Sequence, residues 1–147
     1  MNATSPAGRV PLHLWIVSVI ALVWNGFGAF DYAMSKLRGA EYFREMGMTE
    51  AQIAYAQAYP MWMNLVWAVG VWGGLLGAVL LLLRRRAAAP VFLISLGAFL
   101  ISLVYTYFLS NGREVMGSGA YMQLVVLVGC LFFAWYSNAM ARKGVLK

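Results

Sequence analysis

The chain has 147 residues, of which 63% are hydrophobic and only 11% are charged. Soluble domains carry about 25% charged residues, so the composition excludes a soluble globular protein and favours a single domain in a lipid bilayer. The net charge of +6 does not indicate nucleic-acid binding, because the basic residues are scattered instead of lining one helix. The only cysteine, Cys130, excludes an intrachain disulfide.

Four apolar stretches are each long enough to cross a bilayer. A helix of about 20 apolar residues spans the ~30 Å hydrocarbon core. The sequence therefore predicts an all-α membrane protein, an antiparallel up-down four-helix transmembrane bundle with a short extracytoplasmic helix between the first and second spans. The predicted spans are Leu12–Ala33, Tyr59–Leu83, Ala89–Leu109 and Ala120–Met140.

The first span carries polar side chains that are uncommon inside a membrane. Asn25 and Asp31 lie in its second half, and His13 lies near its start. Its apolar run is longer than the roughly 7–15 residues of a signal peptide, so we expect it to remain as a helix. A lone histidine near an interface is more often an amphipathic anchor than a metal or haem ligand, because such sites need further ligands at the same depth.

The connection between the first two spans, residues 34–58, is the main polar segment. Thr49 and Gln52 have the spacing of a helix capping box, which predicts a short helix over Glu50–Ala58. The residue before a proline avoids helical geometry, so Pro60 ends this helix and begins the second span. We expect a structured connector on the membrane surface. The alternative is a lid over a site.

The second span carries a row of glycines at helical spacing. Small residues four apart let two helix backbones approach closely in a membrane. We expect this row to form a helix-packing face inside the chain, with Gly26 and Gly28 of the first span as partners. The alternative is a homodimer interface. The row consists of Gly70, Gly73, Gly74 and Gly77.

The turn after the second span determines the predicted orientation. Loops on the cytoplasmic side of a membrane are enriched in Lys and Arg. The chain ends and this turn together hold seven basic residues, against four on the opposite side. We therefore expect both termini to face the cytoplasm of a bacterial inner membrane. The topology determinants in the turn are Arg84, Arg85 and Arg86.

The last two spans are joined by the segment Ser110–Gly119, which contains three glycines and is expected to be flexible. With the predicted orientation, one group of polar side chains in the four spans lies toward the outer side: Asn25, Asp31, Asn64, Tyr105, Tyr107 and Gln123. Buried polar groups need partners, so we predict a shallow polar pocket open to the outer face. Its candidate residues are Asn25, Asp31, Asn64, Tyr105 and Gln123.

A purely structural alternative exists for the same side chains. Asp31 would lie at the level of the lipid headgroups and pair with Lys36 or Arg38. Asn25 and Gln123 would then form hydrogen bonds between helices.

No pattern in the spans indicates catalysis. The sequence offers no nucleophile–base pair, no carboxylate dyad and no set of metal ligands at matching depth. We therefore predict no catalytic residue, no cofactor-binding residue, no metal ligand and no enzyme activity. Asp31 is the only acidic residue in a span and lies near its end, which disfavours proton-coupled transport, because such proteins need a charge deep in the membrane.

The chain resembles a group of small four-span proteobacterial inner-membrane proteins, some of which carry the label "sugar transporter". The resemblance covers nearly the whole chain. It lies in the segments Ala21–Gly28, Gly77–Leu83, Ala89–Leu96, Trp135–Tyr136 and Ala141–Leu146.

The resemblance implies a four-span bundle and no established substrate. It also makes the pair Trp24 and Asn25 a candidate for a shared structural or binding role. The favoured function is a non-enzymatic accessory or structural subunit of a membrane assembly. The alternative is a small carrier for a sugar or another neutral solute, acting as a homo-oligomer. The expected partners are the lipid bilayer and a membrane protein or a second copy of the chain, and not nucleic acid.

Overall fold

The computed structural model describes residues 10–110, 112–117 and 119–147. Four of its helical segments are long and apolar enough to cross a membrane: Leu12–Arg38, Met61–Leu82, Ala88–Leu109 and Ala120–Arg142. The predicted all-α, four-span architecture is therefore confirmed. The elements are α1 (Leu12–Arg38), α2 (Ala40–Glu45), α3 (Glu50–Gln57), α4 (Met61–Leu82), α5 (Ala88–Val104), the π-helical turn (Tyr105–Leu109), α6 (Gly112–Met116) and α7 (Gly119–Arg142).

The spans are arranged so that neighbours along the chain are also neighbours in space. Helix α4 packs against both α1 and α5, and α5 packs against α7. Helices α1 and α7 meet through side chains. His13 Nδ1 is hydrogen-bonded to the Tyr136 hydroxyl group, and the Trp24 indole lies against Gly129, where an added Cβ would be 3.0 Å from the ring. These contacts close the bundle.

The short helix predicted between the first two spans is present. The Thr49 side chain accepts a hydrogen bond from the Gln52 amide at 3.1 Å, and the Gln52 side chain accepts one from the Thr49 amide at 3.0 Å. This capping box satisfies two amides that the first turn of a helix leaves unpaired. Helix α3 then ends at Gln57, with Ala58 as its C-cap.

Two elements depart from the prediction at the end of the bundle opposite the turn of Arg84, Arg85 and Arg86 (the arginine turn); this opposite end is here called the outer end. Helix α1 continues to Arg38, beyond the predicted Ala33, and stops at Gly39, whose φ of 60° lies in the left-handed region. The segment Ser110–Gly119 was expected to be a flexible linker, but it contains the helix α6. Its glycine content misled the prediction, because Gly112 is required for tight packing: an added Cβ would lie 2.5 Å from the Thr106 carbonyl oxygen.

The hydrophobic core lies at the end of the bundle that carries the arginine turn. It combines side chains from all four spans with one residue that follows α7, Leu146, which is 2% exposed. The other core members are Leu14, Ala21, Ala78, Leu81, Ala88, Phe92, Phe133, Ala134, Tyr136 and Met140.

Candidate functional site

Asn25 lies where α1, α4 and α5 meet. Its Nδ2 donates a hydrogen bond to the Ala21 carbonyl oxygen at 2.8 Å, one turn back in α1. Its Oδ1 sits against the backbone of Gly74, where an added Cβ would be 2.2 Å away. From the other side, Ser95 Oγ of α5 donates to the Gly70 carbonyl oxygen at 2.6 Å. Asn25 thus occupies the space that the glycine row leaves open.

The glycine row of α4 makes its contacts within the chain. A Cβ on Gly70 would meet Ala98 at 3.7 Å, and a Cβ on Gly77 would meet the Phe92 ring at 2.9 Å. The row therefore admits α5 on one side and the Asn25 side chain on the other. Gly26 and Gly28 are not the partners that we expected, since an added Cβ at either position would meet nothing within 4 Å.

Asp31 pairs with a residue that the sequence did not single out. The hydroxyl group of Tyr42, on α2, donates to Asp31 Oδ1 at 2.7 Å. Burial of Tyr42 and this hydrogen bond raise the pKa of the Tyr42 phenol to about 12. The bond ties α2 to the outer end of α1, so Asp31 has a structural partner.

Asn64 binds Lys36, at the outer end of α1. Lys36 Nζ donates to Asn64 Oδ1 at 2.6 Å. The ammonium group also lies over the rings of Tyr32 and Trp67, at 5.7 and 5.5 Å from their centroids. A cation over an aromatic face is attracted by the negative charge density of the ring. The structural alternative paired Lys36 with Asp31. In the structure, Lys36 instead contacts the Asn64 amide and the two aromatic rings.

Tyr105 belongs to an aromatic cluster at the outer surface. Its ring makes edge contacts with Tyr59 and Trp62, at centroid distances of 5.6 and 5.5 Å, and lies 6.1 Å from Tyr55. Burial, together with the nearby Tyr55 and Tyr105, raises the pKa of the Tyr59 phenol to about 12. A shallow, open depression of about 420 Å³ lies beside the cluster, lined by Ala51, Ala54, Tyr55, Ala58, Tyr105, Ser110 and Val115.

Gln123 forms the hydrogen bond between helices that the structural alternative predicted. Its Oε1 accepts from the hydroxyl group of Tyr107, on the π-helical turn. The bond joins the outer ends of the third and fourth spans. It does not include any other candidate residue of the predicted pocket.

The five candidate pocket residues therefore lie in separate environments. Asn25 faces the glycine row, Asp31 and Asn64 bind different partners around the first connection, and Tyr105 and Gln123 belong to two further groups. Of the five, only Tyr105 lines the depression. The arrangement joins helices to one another, and the depression is the place where a small solute could rest.

The first connection is attached to the second at the outer face. Gln52 Nε2 donates to the Val115 carbonyl oxygen at 3.2 Å, and the Tyr55 hydroxyl group lies 2.6 Å from Ser110 Oγ. Ser110 Oγ also donates to the Tyr105 carbonyl oxygen at 2.7 Å, where the π-helical turn ends. Helix α3 is thus bonded to the outer end of the third span.

Two exposed ion-pair groups order the first connection. Arg38 donates to Glu45 at 2.6 Å and to Glu41 at 3.0 Å. Arg44 donates to Glu50 at 3.0 Å. These arginines hold the pKa values of the Glu45 and Glu50 carboxyl groups below their usual range. Arg38 is therefore not a partner of Asp31.

The arginine turn was predicted to determine the orientation in the membrane, and in the structure it also binds the segment that follows α7. Arg84 has a φ of 58°, which is unusual for a residue with a side chain. Its guanidinium group donates to the Val145 carbonyl oxygen from Nε at 3.2 Å and from Nη2 at 3.1 Å. Arg85 and Arg86 are exposed.

Several buried polar residues were missed by the sequence reading. Ser95, Ser137 and Thr106 donate to carbonyl oxygens, Ser137 to that of Ala134 at 3.1 Å. Ser18 is fully buried, and its hydroxyl group has no hydrogen-bond partner in the described part of the chain. Serine is small and common in membrane helices, so the presence of a serine does not by itself predict that the residue is buried.

Among the residues that the structure describes, no three His, Cys, Asp or Glu side chains are grouped together. Cys130 is half-buried in α7, and His13 binds Tyr136. No protein-family model, no curated protein and no solved structure matches this chain.

Proposed function

We propose that this chain is a small non-enzymatic subunit of an assembly in a bacterial inner membrane, and that it binds another membrane protein through the outer half of α7. One asymmetry of the bundle supports this proposal. The half of α7 near the arginine turn packs into the core, whereas its outer half, residues 120–132, has no buried residue.

The contrast within α7 is large. Between residues 133 and 140, five residues are buried: Phe133, Ala134, Tyr136, Ser137 and Met140. In the outer half, Leu124, Val125 and Val128 are 50% exposed or more, and Tyr121 is 75% exposed. The other spans have buried residues at both ends, for example Leu14 and Ala29 in α1. The outer half of α7 therefore presents a packing surface that the bundle leaves partly uncovered.

A helix of another membrane protein suits this surface. Lipid chains are as apolar as leucine, so helices associate in membranes through close packing and hydrogen bonds. The outer half of α7 carries branched and aromatic side chains, and no residue from Ala120 to Phe132 is charged. A partner helix that packs on this surface would cover the side chains of Leu124, Val125 and Val128, which the bundle leaves exposed.

Site-specific photo-crosslinking in native membranes tests this proposal. A benzophenone side chain at Val128 should crosslink to one protein of another kind. The same probe at Leu76, which is 51% exposed on α4, serves as the matched control and should react with lipid only. Native mass spectrometry of the complex, extracted in gentle detergent, should give a fixed ratio of the two chains. Reaction with lipid alone at both positions would contradict the proposal.

The alternative function is a small solute carrier acting as a homo-oligomer, and the outer depression favours it. Aromatic rings bind sugars through their faces, and Tyr105 and Tyr55 both line this depression. A carrier predicts self-association and saturable uptake of a labelled neutral sugar into proteoliposomes. Tyr105→Ala should abolish that uptake, and Tyr121→Ala, at a tyrosine 75% exposed on α7, should leave it unchanged. Equal uptake by vesicles without protein would exclude this function.

A further inference from the structure

Six basic side chains lie at one end of the bundle, and two separate parts of the chain supply them. One part is the turn between α4 and α5. The other is the segment Lys143–Lys147, here called the tail, together with the last residue of α7. The six residues are Arg84, Arg85, Arg86, Arg142, Lys143 and Lys147.

The tail is bound to the arginine turn through its backbone. The chain reverses at Gly144, whose φ is 77°, and Leu146 enters the core, where it is 2% exposed. The Lys147 amide donates to the Arg84 carbonyl oxygen at 2.7 Å, and the Arg86 amide donates to the Lys147 carbonyl oxygen at 2.9 Å. This pairing fixes Lys147 beside the arginines.

The basic side chains at this end have no acidic counterpart in the part of the chain that the structure describes. Arg85, Arg86 and Lys147 are exposed, and none of them forms an ion pair there. The five acidic residues of the sequence belong to the opposite end, in the outer end of α1 and in the helices α2, α3 and α6: Asp31, Glu41, Glu45, Glu50 and Glu114. The exposed cations at the arginine end are therefore available to an external anion.

The depth of this end matches the level of lipid phosphates. Helix α4 has 22 residues, about 33 Å at 1.5 Å per residue, so its last residue emerges from a hydrocarbon layer of about 30 Å. Trp15 and Trp135 are 39% and 61% exposed near the same end. Tryptophan collects at the membrane interface, and the next polar layer outward holds the phosphates.

We propose that the arginine turn and the tail together form a binding site for the phosphate groups of anionic phospholipids in the leaflet at this end. Arg85, Arg86 and Lys147 contact the phosphates, and Arg84 holds the tail in place through Val145. The backbone pairing between Arg84, Arg86 and Lys147 sets the spacing of the charges. The site depends on the fold of the tail and does not depend on which function the bundle serves.

The first test removes charge. Purified protein in neutral detergent is titrated with phosphatidylglycerol or phosphatidylcholine, and native mass spectrometry measures the retained lipid. Arg85→Gln/Arg86→Gln should weaken retention of phosphatidylglycerol roughly 20-fold, since each cation at an anionic surface contributes about fivefold. The matched control, Lys36→Gln/Arg44→Gln, removes two charges from the opposite end and should have no effect. An equal loss in both variants would overturn the site.

The second test keeps all charges and releases the tail. Gly144→Val places a β-branched residue at a φ of 77°, which such residues adopt at high cost, and should lower the preference for phosphatidylglycerol several-fold. Gly144→Asn, a residue that tolerates this region, should retain it. Unchanged binding by Gly144→Val would show that the charges act without the tail. Displacement of the lipid by equimolar inorganic phosphate would assign the site to a soluble anion instead, and would also overturn the proposal.

Discussion

Asn25 shows how a single polar residue can be accommodated inside this membrane bundle. Its amide group is satisfied by its own helix, and its oxygen fills the space above Gly74. The cost of burying an amide without a hydrogen bond is several kcal/mol, so the intrahelical bond removes most of the penalty. Asn25 therefore joins α1 to the glycine row of α4 through one hydrogen bond and close packing against Gly74.

The fit at this position predicts the effect of a single methyl group. Gly74→Ala would put a Cβ 2.2 Å from Asn25 Oδ1, and the side chain must move or the helices must separate. We expect a loss of about 1–3 kcal/mol, the usual cost of overpacking. Thermal unfolding in mild detergent, followed by circular dichroism, measures the loss as a lower melting temperature.

Two further variants complete this experiment. Gly97→Ala adds the same methyl group where nothing lies within 4 Å, and it should leave the melting temperature unchanged or raise it. Asn25→Ala in combination with Gly74→Ala should recover most of the loss, because the group that clashes is then removed. If the double variant is as unstable as Gly74→Ala, the clash is not with Asn25.

The Tyr42–Asp31 bond gives a second prediction at this scale. Tyr42→Phe leaves the Asp31 carboxylate without its donor, and a lost hydrogen bond to a charged group costs about 1.5–3 kcal/mol. Hydrogen exchange of the α2 amides should therefore be faster in the variant. The control is Tyr121→Phe, at an exposed tyrosine of α7; equal protection of α2 in all three proteins would contradict the prediction.

At the scale of helices, the prediction succeeded where the signal is local. Hydropathy over about 20 residues identifies a span. The capping box of Thr49 and Gln52, a motif only four residues long, marks the start of α3. The site was harder to predict because its contacts join distant parts of the chain. Asn25 meets Gly74, and Asp31 meets a tyrosine on α2, a helix that no sequence pattern indicated. The charge of a residue and its depth in the membrane do not identify its partner, because the partner depends on how the helices pack.

The ion pairs of the first connection predict a pH dependence. The pKa values of the Glu45 and Glu50 carboxyl groups lie below their usual range because Arg38 and Arg44 stabilise the charged forms. A lowered pKa in the folded state contributes stability that is present above the unfolded-state pKa and is lost as pH falls through the folded-state pKa. The order of α2 and α3 should therefore be constant near neutral pH and should decrease below about pH 4.5.

Labelling of an introduced cysteine measures this order. In a Cys130→Ala background, Ile53→Cys on α3, at a position that is 3% exposed, is labelled during incubation at each pH with a thiol reagent that reacts in acid, in low and high salt. Salt screens exposed charges, so high salt should mimic part of the acid effect. Glu45→Gln/Glu50→Gln should have lost the pH dependence. A pH response that survives in this variant would show that another group is responsible.

For the whole molecule, the distribution of charge divides the bundle into two ends. One end holds the arginine turn and the tail, and the other holds all five acidic residues and the paired arginines of the first connection. The core also lies at the arginine end, whereas the outer half of α7 holds no buried residue. We therefore expect the arginine end to be the rigid end, and α7 to move most near its outer end when a partner binds.

The same division predicts the orientation in the membrane. Because the basic excess favours the cytoplasmic side, Lys143→Cys in a Cys130→Ala background should react with a membrane-impermeant maleimide only after the inner membrane is opened. Glu41→Cys, on α2, should react in cells whose outer membrane alone is permeable. Each variant is the control for the other, since both positions are exposed. Reaction of Lys143→Cys and protection of Glu41→Cys would reverse the orientation, and the phospholipid site would then face the periplasmic leaflet.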